Sequence, residues 1–144
     1  MKSIISVISV AVVSASPLWA QGDAAAGEGA FRQCQACHVV VDDAGETLAG
    51  RNGRTGPNLY QISGREAGTV EGFRYSDALV NAGQAGLTWD QDTFVEYVQD
   101  PTEFLREYLG DGRARGNMSY KVRKEADAHD LYAYIASLGG DGGS

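Results

Sequence analysis

A chain of 144 residues with 43% hydrophobic and 22% charged content suits one globular domain and leaves no length for a second, catalytic one. Nineteen Asp and Glu against twelve Lys and Arg give a formal charge of −7, which excludes a broad phosphate-neutralising face and so the wrapping of nucleic acid. Two cysteines, two histidines and two methionines are the whole stock from which a metal or redox site could be built.

Met1-Lys2 sets one positive charge before an apolar stretch from Ile4 to Ala15, and Ser16-Pro17-Leu18-Trp19-Ala20 ends in a small residue. That is the layout of a secretory signal. The stretch, about 12 residues long, falls short of the roughly 20 needed to span a bilayer. Residues 1–20 are therefore read as a signal peptide cut after Ala20, and 21–144 as the domain, exported to the periplasm without a membrane anchor. An uncleaved anchor is the competing reading, weakened because folded pattern begins almost at once, at Asp23. Export also implies an oxidising compartment, where two cysteines ordinarily pair.

Along the remaining chain the elements are helical. Asp23 can cap a helix from Ala24 to about Gln35 with Ala30, Phe31 and Cys34 on one face. Residues 39–58 are rich in glycine and lack periodicity, so they read as a long loop. Ser76 caps a short helix over Asp77 to Ala82. Asp90 starts another with Phe94, Tyr97 and Val98 on a shared face, which must end near Asp100 because Pro101 disfavours helix before it. Asp100, Pro101 and Glu103 then open a helix whose apolar face is Phe104, Leu105, Tyr108 and Leu109, stopped by Gly110-Asp111-Gly112. In the last helix, from about Lys124, Leu131, Tyr134, Ile135 and Leu138 recur at helical spacing before Gly139-Gly140, and 139–144 is a frayed tail. No strand of useful length is expected. The fold class is all-α, with short helices and long loops around too small a core. Such domains usually need a staple or a large buried cofactor.

Cys34-Gln35-Ala36-Cys37-His38 supplies one, because C-x-x-C-H is the attachment pattern of haem c. Two thiols three residues apart can each add to one vinyl group on the same side of a porphyrin. The next residue, His38, then lies under the iron. Three other readings compete. A Cys34–Cys37 disulfide would close a tiny loop and constrain little unfolded chain. A redox dithiol would want a βαβ context, which is missing. A zinc site from Cys34, Cys37, His38 and His129 would crowd two adjacent residues around one tetrahedral ion.

Beyond the signal, Met118 is the one methionine and His129 the one other histidine. Met118 sits in a polar, glycine-bearing loop, Arg115 to Tyr120, with no helical face to fill. His129 falls opposite Leu131 by helical phase and reads as a solvated surface histidine. His38 and Met118 are thus the expected axial iron ligands. A thioether favours the ferrous state and raises the potential relative to two histidines. With both positions filled there is no seat for oxygen or substrate, which leaves one-electron transfer. The opposing expectation, a peroxidase, would need an open iron and an acid–base residue above it.

These residues resemble class I c-type cytochromes, and most closely the cytochrome c2 group of purple and related bacteria. The resemblance spans nearly all of residues 22–138. It includes Gly27 and Phe31 before the attachment motif, then Thr55-Gly56-Pro57-Asn58-Leu59-Tyr60, Gly64-Arg65, and Gly72 through Ala78. It continues with Leu87-Thr88-Trp89, Glu96 through Pro101, Asn117-Met118 and Asp130 through Ile135. It implies that the Pro57 carbonyl accepts a hydrogen bond from the proximal imidazole. It also implies that Tyr97 hydrogen-bonds near the methionine sulfur, and that Tyr75, Trp89 and Arg65 hold a buried haem propionate. Gly27, Phe31, Leu131 and Tyr134 match the crossing of the first and last helices. Tyr120 departs from the phenylalanine usual beside the methionine loop, and Val41 to Gly53 and Thr102 to Gly116 are longer than in mitochondrial relatives.

The resemblance further implies a monomeric electron carrier. Its donor would be a cytochrome bc complex, and its acceptor a photosynthetic reaction centre, a terminal oxidase or both. Between Arg113 and Lys124, the cations Arg113, Arg115, Lys121, Arg123 and Lys124 occur without an acid. A basic patch flanking Met118 on an acidic body would orient the chain toward an acidic docking face.

Overall fold

The computed structural model describes residues 21–140; residues 1–20, read above as a signal peptide, and the tail beyond 140 lie outside the described residues. Five α-helices carry the architecture: α1 (Ala24–Ala30), α2 (Asp77–Gln84), α3 (Gln91–Gln99), α4 (Pro101–Leu109) and α5 (Glu125–Leu138). α1 and α3 both pack on α5, while α2 and α3 pack on α4. Among the described residues no helix is long and apolar enough to cross a membrane.

Four of the five helices begin where a side chain can satisfy their first amides, while α5 follows Lys124 without a side-chain cap. Asp23 accepts from the amides of Ala25 and Ala26, Ser76 from that of Leu79, and Asp100 from that of Glu103. Asp90 and Thr93 cap each other's backbone reciprocally at the start of α3. α4 ends on Gly110 at φ 63°, a left-handed conformation that glycine adopts without a Cβ penalty.

Three expectations need correction. The first helix stops at Ala30, and a 3-10 turn over Phe31–Gln33 takes its place. Tightening the last turn in this way lets the Phe31 carbonyl accept from both Cys34 and Gln35. The stretch read as a loop holds a short antiparallel pair, β1 (Val40–Val41) and β2 (Thr47–Ala49). Its turn is held by Asp42, whose Oδ1 accepts from the amides of Ala44 and Glu46, and by Gly45 at φ 83°. Strands of two and three residues are too short to show alternation. Tyr108, read as part of an apolar face, is 40% exposed and stacks on Phe104.

The crossing of α1 and α5 is the tightest junction. A Cβ on Gly27 would lie 2.0 Å from the Asp130 carbonyl oxygen and 2.7 Å from Cβ of Tyr134. Phe31 and Tyr134 close the same junction with ring centroids 5.7 Å apart. Leu105, Leu131, Ile135 and Val40 are completely or almost completely buried. Much of the remaining apolar surface faces inward onto a cavity.

Candidate haem site

Residues far apart in the chain line one cavity of about 310 Å³. The turn after α1 contributes Cys34, Cys37 and His38. The loop at 55–65 contributes Pro57 and Arg65. Tyr75 comes from the loop just before α2, Trp89 from the loop before α3, Tyr97 from α3 itself, and Met118 from the loop before α5. Most of the rest of the wall is apolar, with Leu59, Ile62, Leu79, Phe94, Val98 and Leu131 among it.

The Cys34–His38 turn is built by its own backbone. Cys37 and His38 both donate to the Cys34 carbonyl, at 3.0 and 2.9 Å. That turn places Cys34, Cys37 and His38 together on the cavity wall. The two thiols are free. Burial, and then the neighbouring Cys37, push the Cys34 thiol up to about 11, so it stays neutral.

Nδ1 of His38 lies 2.9 Å from the Pro57 carbonyl oxygen. A carbonyl can only accept, so Nδ1 carries the proton and Nε2 keeps its lone pair. Burial lowers the affinity of this ring for a second proton, and the Pro57 hydrogen bond opposes that only partly. The Pro57 loop is itself anchored. Asn58 accepts from the Val41 amide at 2.9 Å and donates to the Val41 carbonyl at 2.8 Å, which ties the loop to β1. In the sequence Asn58 stands out only as part of the 55–60 motif, whereas its paired contacts with Val41 hold the loop that carries Pro57.

Arg65 and Trp89 are clamped side by side. The Trp89 amide donates to the Arg65 carbonyl at 2.9 Å, and the Gly64 amide to the Trp89 carbonyl at 2.7 Å. The Arg65 guanidinium donates to the carbonyls of Tyr60 at 2.8 Å and Asn58 at 3.2 Å. Burial lowers its proton affinity while Tyr75 raises it. Trp89 packs on Tyr97 at 4.9 Å between centroids. The Tyr75 hydroxyl accepts from the Val70 amide, and burial raises its pKa. Burial pushes the Tyr97 hydroxyl up to about 12, and that hydroxyl sits beside the 116–118 loop. Met118 is half-buried on the cavity wall, and its loop is pinned behind it by the Val122 amide donating to the Val98 carbonyl at 2.8 Å.

His129 does not line this cavity. Nor is it the solvated residue that helical phase predicts: its side chain is only 15% exposed. Gln91 Nε2 donates to its Nδ1 at 2.6 Å and Glu125 lies 3.6 Å from Nε2, so the ring bridges α3 and α5. The physical reason is that α5 is packed on two sides, and the face opposite Leu131 meets the start of α3. A zinc site drawing on His129 is thereby ruled out, and among the described residues no group of three His, Cys, Asp or Glu side chains could hold a metal ion.

The donor set fits a haem. Two free thiols precede an imidazole with a free nitrogen, one thioether lines the same largely apolar cavity, and a half-buried guanidinium, that of Arg65, stands on its wall where a carboxylate could meet it. A Cβ on Gly56 would strike the His38 ring at 2.3 Å, so the backbone is cut away to seat that imidazole.

Helix order and cavity together define a class I c-type cytochrome. No protein-family model matches the chain. It is 70% identical to cytochrome c2 of Rhodovulum adriaticum over 118 residues, which is 82% of this chain and 94% of that protein. It is 51% identical to cytochrome c-551 of Roseobacter denitrificans over 140 residues, covering 97% of this chain and 98% of the relative. The crystal structure of cytochrome c2 from Rhodobacter sphaeroides superposes with a TM-score of 0.79 at 56% identity, covering 81% of this chain and 95% of the other. The chain belongs to the cytochrome c2 family. It is an electron carrier using haem c, not an enzyme.

Proposed function

We propose that the mature chain, residues 21–144, is a periplasmic one-electron shuttle carrying one covalently bound haem. The thiols of Cys34 and Cys37 would each add across a vinyl group, an addition that needs no oxidant. His38 and Met118 are the axial ligands of this reading. When bound, the haem supplies the Fe(II)/Fe(III) couple. The observation that carries the reading is the His38–Pro57 hydrogen bond of 2.9 Å within a cavity that also receives Cys34, Cys37 and Met118.

The protein's own part is to hold these groups still. Pro57 fixes the imidazole tautomer and raises its basicity. Arg65, Tyr75 and Trp89 line the cavity together and would take the propionate, since a carboxylate leaving water needs donors and a cation. Tyr97 would donate toward the Met118 sulfur. A site that moves little between two charge states has little to reorganise when an electron passes.

The donor on this reading is a cytochrome bc complex, and the acceptor a photosynthetic reaction centre, a terminal oxidase or both. Arg113, Arg115, Lys121, Arg123 and Lys124 are all exposed and would meet an acidic docking face. Lys121 already pairs with Asp100 at 2.5 Å, so the other four offer the freer charge.

Spectra of the purified holoprotein test the ligation. The ferric form should show a low-spin, six-coordinate spectrum in the natural protein, and that spectrum should change in Met118→Leu. A high-spin ferric spectrum in the natural protein would overturn the assignment of Met118. Colourless protein after acid-acetone washing would overturn covalent attachment. Turnover with a bc complex should slow as salt rises, and a flat response would remove the docking patch.

A further inference from the structure

Next to the cofactor cavity, and sharing Tyr75, Ser76 and Asn117 with it, lies a second cleft of about 480 Å³. Three arginines line it. Arg74 comes from the loop before α2, and Arg113 and Arg115 from the loop after α4. The packing of α2 on α4 brings these loops together. All three side chains are exposed. Among the described residues none of them forms an ion pair or a side-chain hydrogen bond.

That is unusual in its setting, because two carboxylates share the lining. Asp77 occupies the first turn of α2, where the helix dipole favours it. Asp111 is engaged in its own turn, its Oδ1 accepting from the Arg113 amide at 2.9 Å. Neither pairs with a guanidinium. Arg65, by contrast, already gives two of its guanidinium donors to backbone carbonyls. The cleft therefore gathers three planar, permanently charged donor groups whose hydrogen-bonding capacity is open to solvent. A cation would be repelled by them. A compact oxyanion would satisfy several forked guanidinium donors at once.

We propose that this cleft binds a small, multiply charged oxyanion of the inorganic phosphate class, and that this binding is coupled to the redox state. Oxidation adds one positive charge to the cofactor, and Tyr75 and Asn117 form the shared wall between the two sites. An anion in the cleft is thus held more tightly by the oxidised protein, and by linkage it lowers the midpoint potential. Anion binding stands on the cleft alone; the coupling rests on the electron-carrier reading.

The test is titration of the holoprotein with inorganic phosphate at constant ionic strength set by chloride, followed by calorimetry and by amide shifts. Three proteins are compared. One is the natural chain, one carries Arg74→Gln, Arg113→Gln and Arg115→Gln, and one carries Arg32→Gln, Arg51→Gln and Arg54→Gln, which removes the same charge elsewhere. Saturable binding is expected in the natural chain and in the second variant, with at least about tenfold weaker binding in the first. The midpoint potential should fall saturably with phosphate wherever phosphate binds. Equal weakening in both variants, or no saturable binding in the natural chain, overturns the site. Saturable binding with a potential that stays constant overturns the coupling only, and leaves the electron-carrier reading standing. An unchanged visible spectrum and melting temperature in each variant show that folding is not the cause.

Discussion

Gly56 lies flat against the imidazole of His38: a Cβ there would come within 2.3, 2.6 and 2.7 Å of three ring atoms. The ring cannot swing aside cheaply, because Nδ1 is tied to Pro57 and burial surrounds it. Nor can the loop easily retreat, since the Gly56 amide donates to the Cys37 carbonyl at 2.8 Å. Gly56→Ala should therefore destabilise the holoprotein by about 1–3 kcal/mol, the usual cost of overpacking. Denaturant midpoints at unchanged slope check it. A variant as stable as the natural protein would show that the loop yields.

Gly27→Ala sets a methyl group into the backbone of α5 at Asp130 and against Cβ of Tyr134, neither of which is the far end of a flexible side chain. The helices must separate, and Phe31 and Tyr134 lose their packing. A loss of about 2–3 kcal/mol is expected, at the upper end of overpacking costs. The melting temperature of the holoprotein reads it, and an unshifted value would mean that α1 slides along α5.

Leu105 on α4 is wholly buried. Leu105→Ala should cost about 2–5 kcal/mol, from lost transfer energy and the cavity left behind. The visible spectrum should survive, because Leu105 does not line the cofactor cavity. Loss of the spectrum together with stability would place α4 nearer the site than its packing indicates.

Met118→His exchanges a thioether for an imidazole. If Met118 is the sixth ligand, the midpoint potential should fall by roughly 0.1–0.3 V, well inside the ~0.8 V that axial ligands span. Redox titration of the purified variant measures it. An unmoved potential would mean that position 118 does not touch the iron.

The Asp100 carboxyl is held below the usual carboxylate range, first by its hydrogen bond with Lys121 and then by the Glu103 amide. A lowered folded-state value means stability that is present above the ordinary carboxylate pKa and is lost as pH falls through the lowered value. Asp100 is exposed, so the effect is small and fades with salt. Asp100→Asn should flatten the acid limb of stability against pH at low ionic strength. An identical acid limb in both proteins would show that the pair contributes nothing.

Helix starts were legible because capping acts over two or three residues: Asp23, Ser76, Asp90 and Asp100 each serve amides within that reach. The turn from Cys34 to His38 was legible for the same reason, since its hydrogen bonds close inside one turn. His129 was not. Helical phase gives the direction of a side chain on α5 but not whether another helix lies in that direction, and Gln91 of α3 does. The strand pair was hidden because its register is set by Asp42 and Gly45 in the turn rather than by alternation.

The chain by itself determined the chemistry available: two thiols and an imidazole at fixed spacing, and one thioether, that of Met118, in a polar loop. Tertiary structure alone decided that these groups, with Pro57, Arg65 and Trp89, open onto one cavity, and that Arg74 meets Arg113 and Arg115 across another. The reason is one of range. Spacing and caps act within a turn or two, whereas convergence of distant loops depends on how closely α1 and α5 can approach at Gly27. That distance is set by packing.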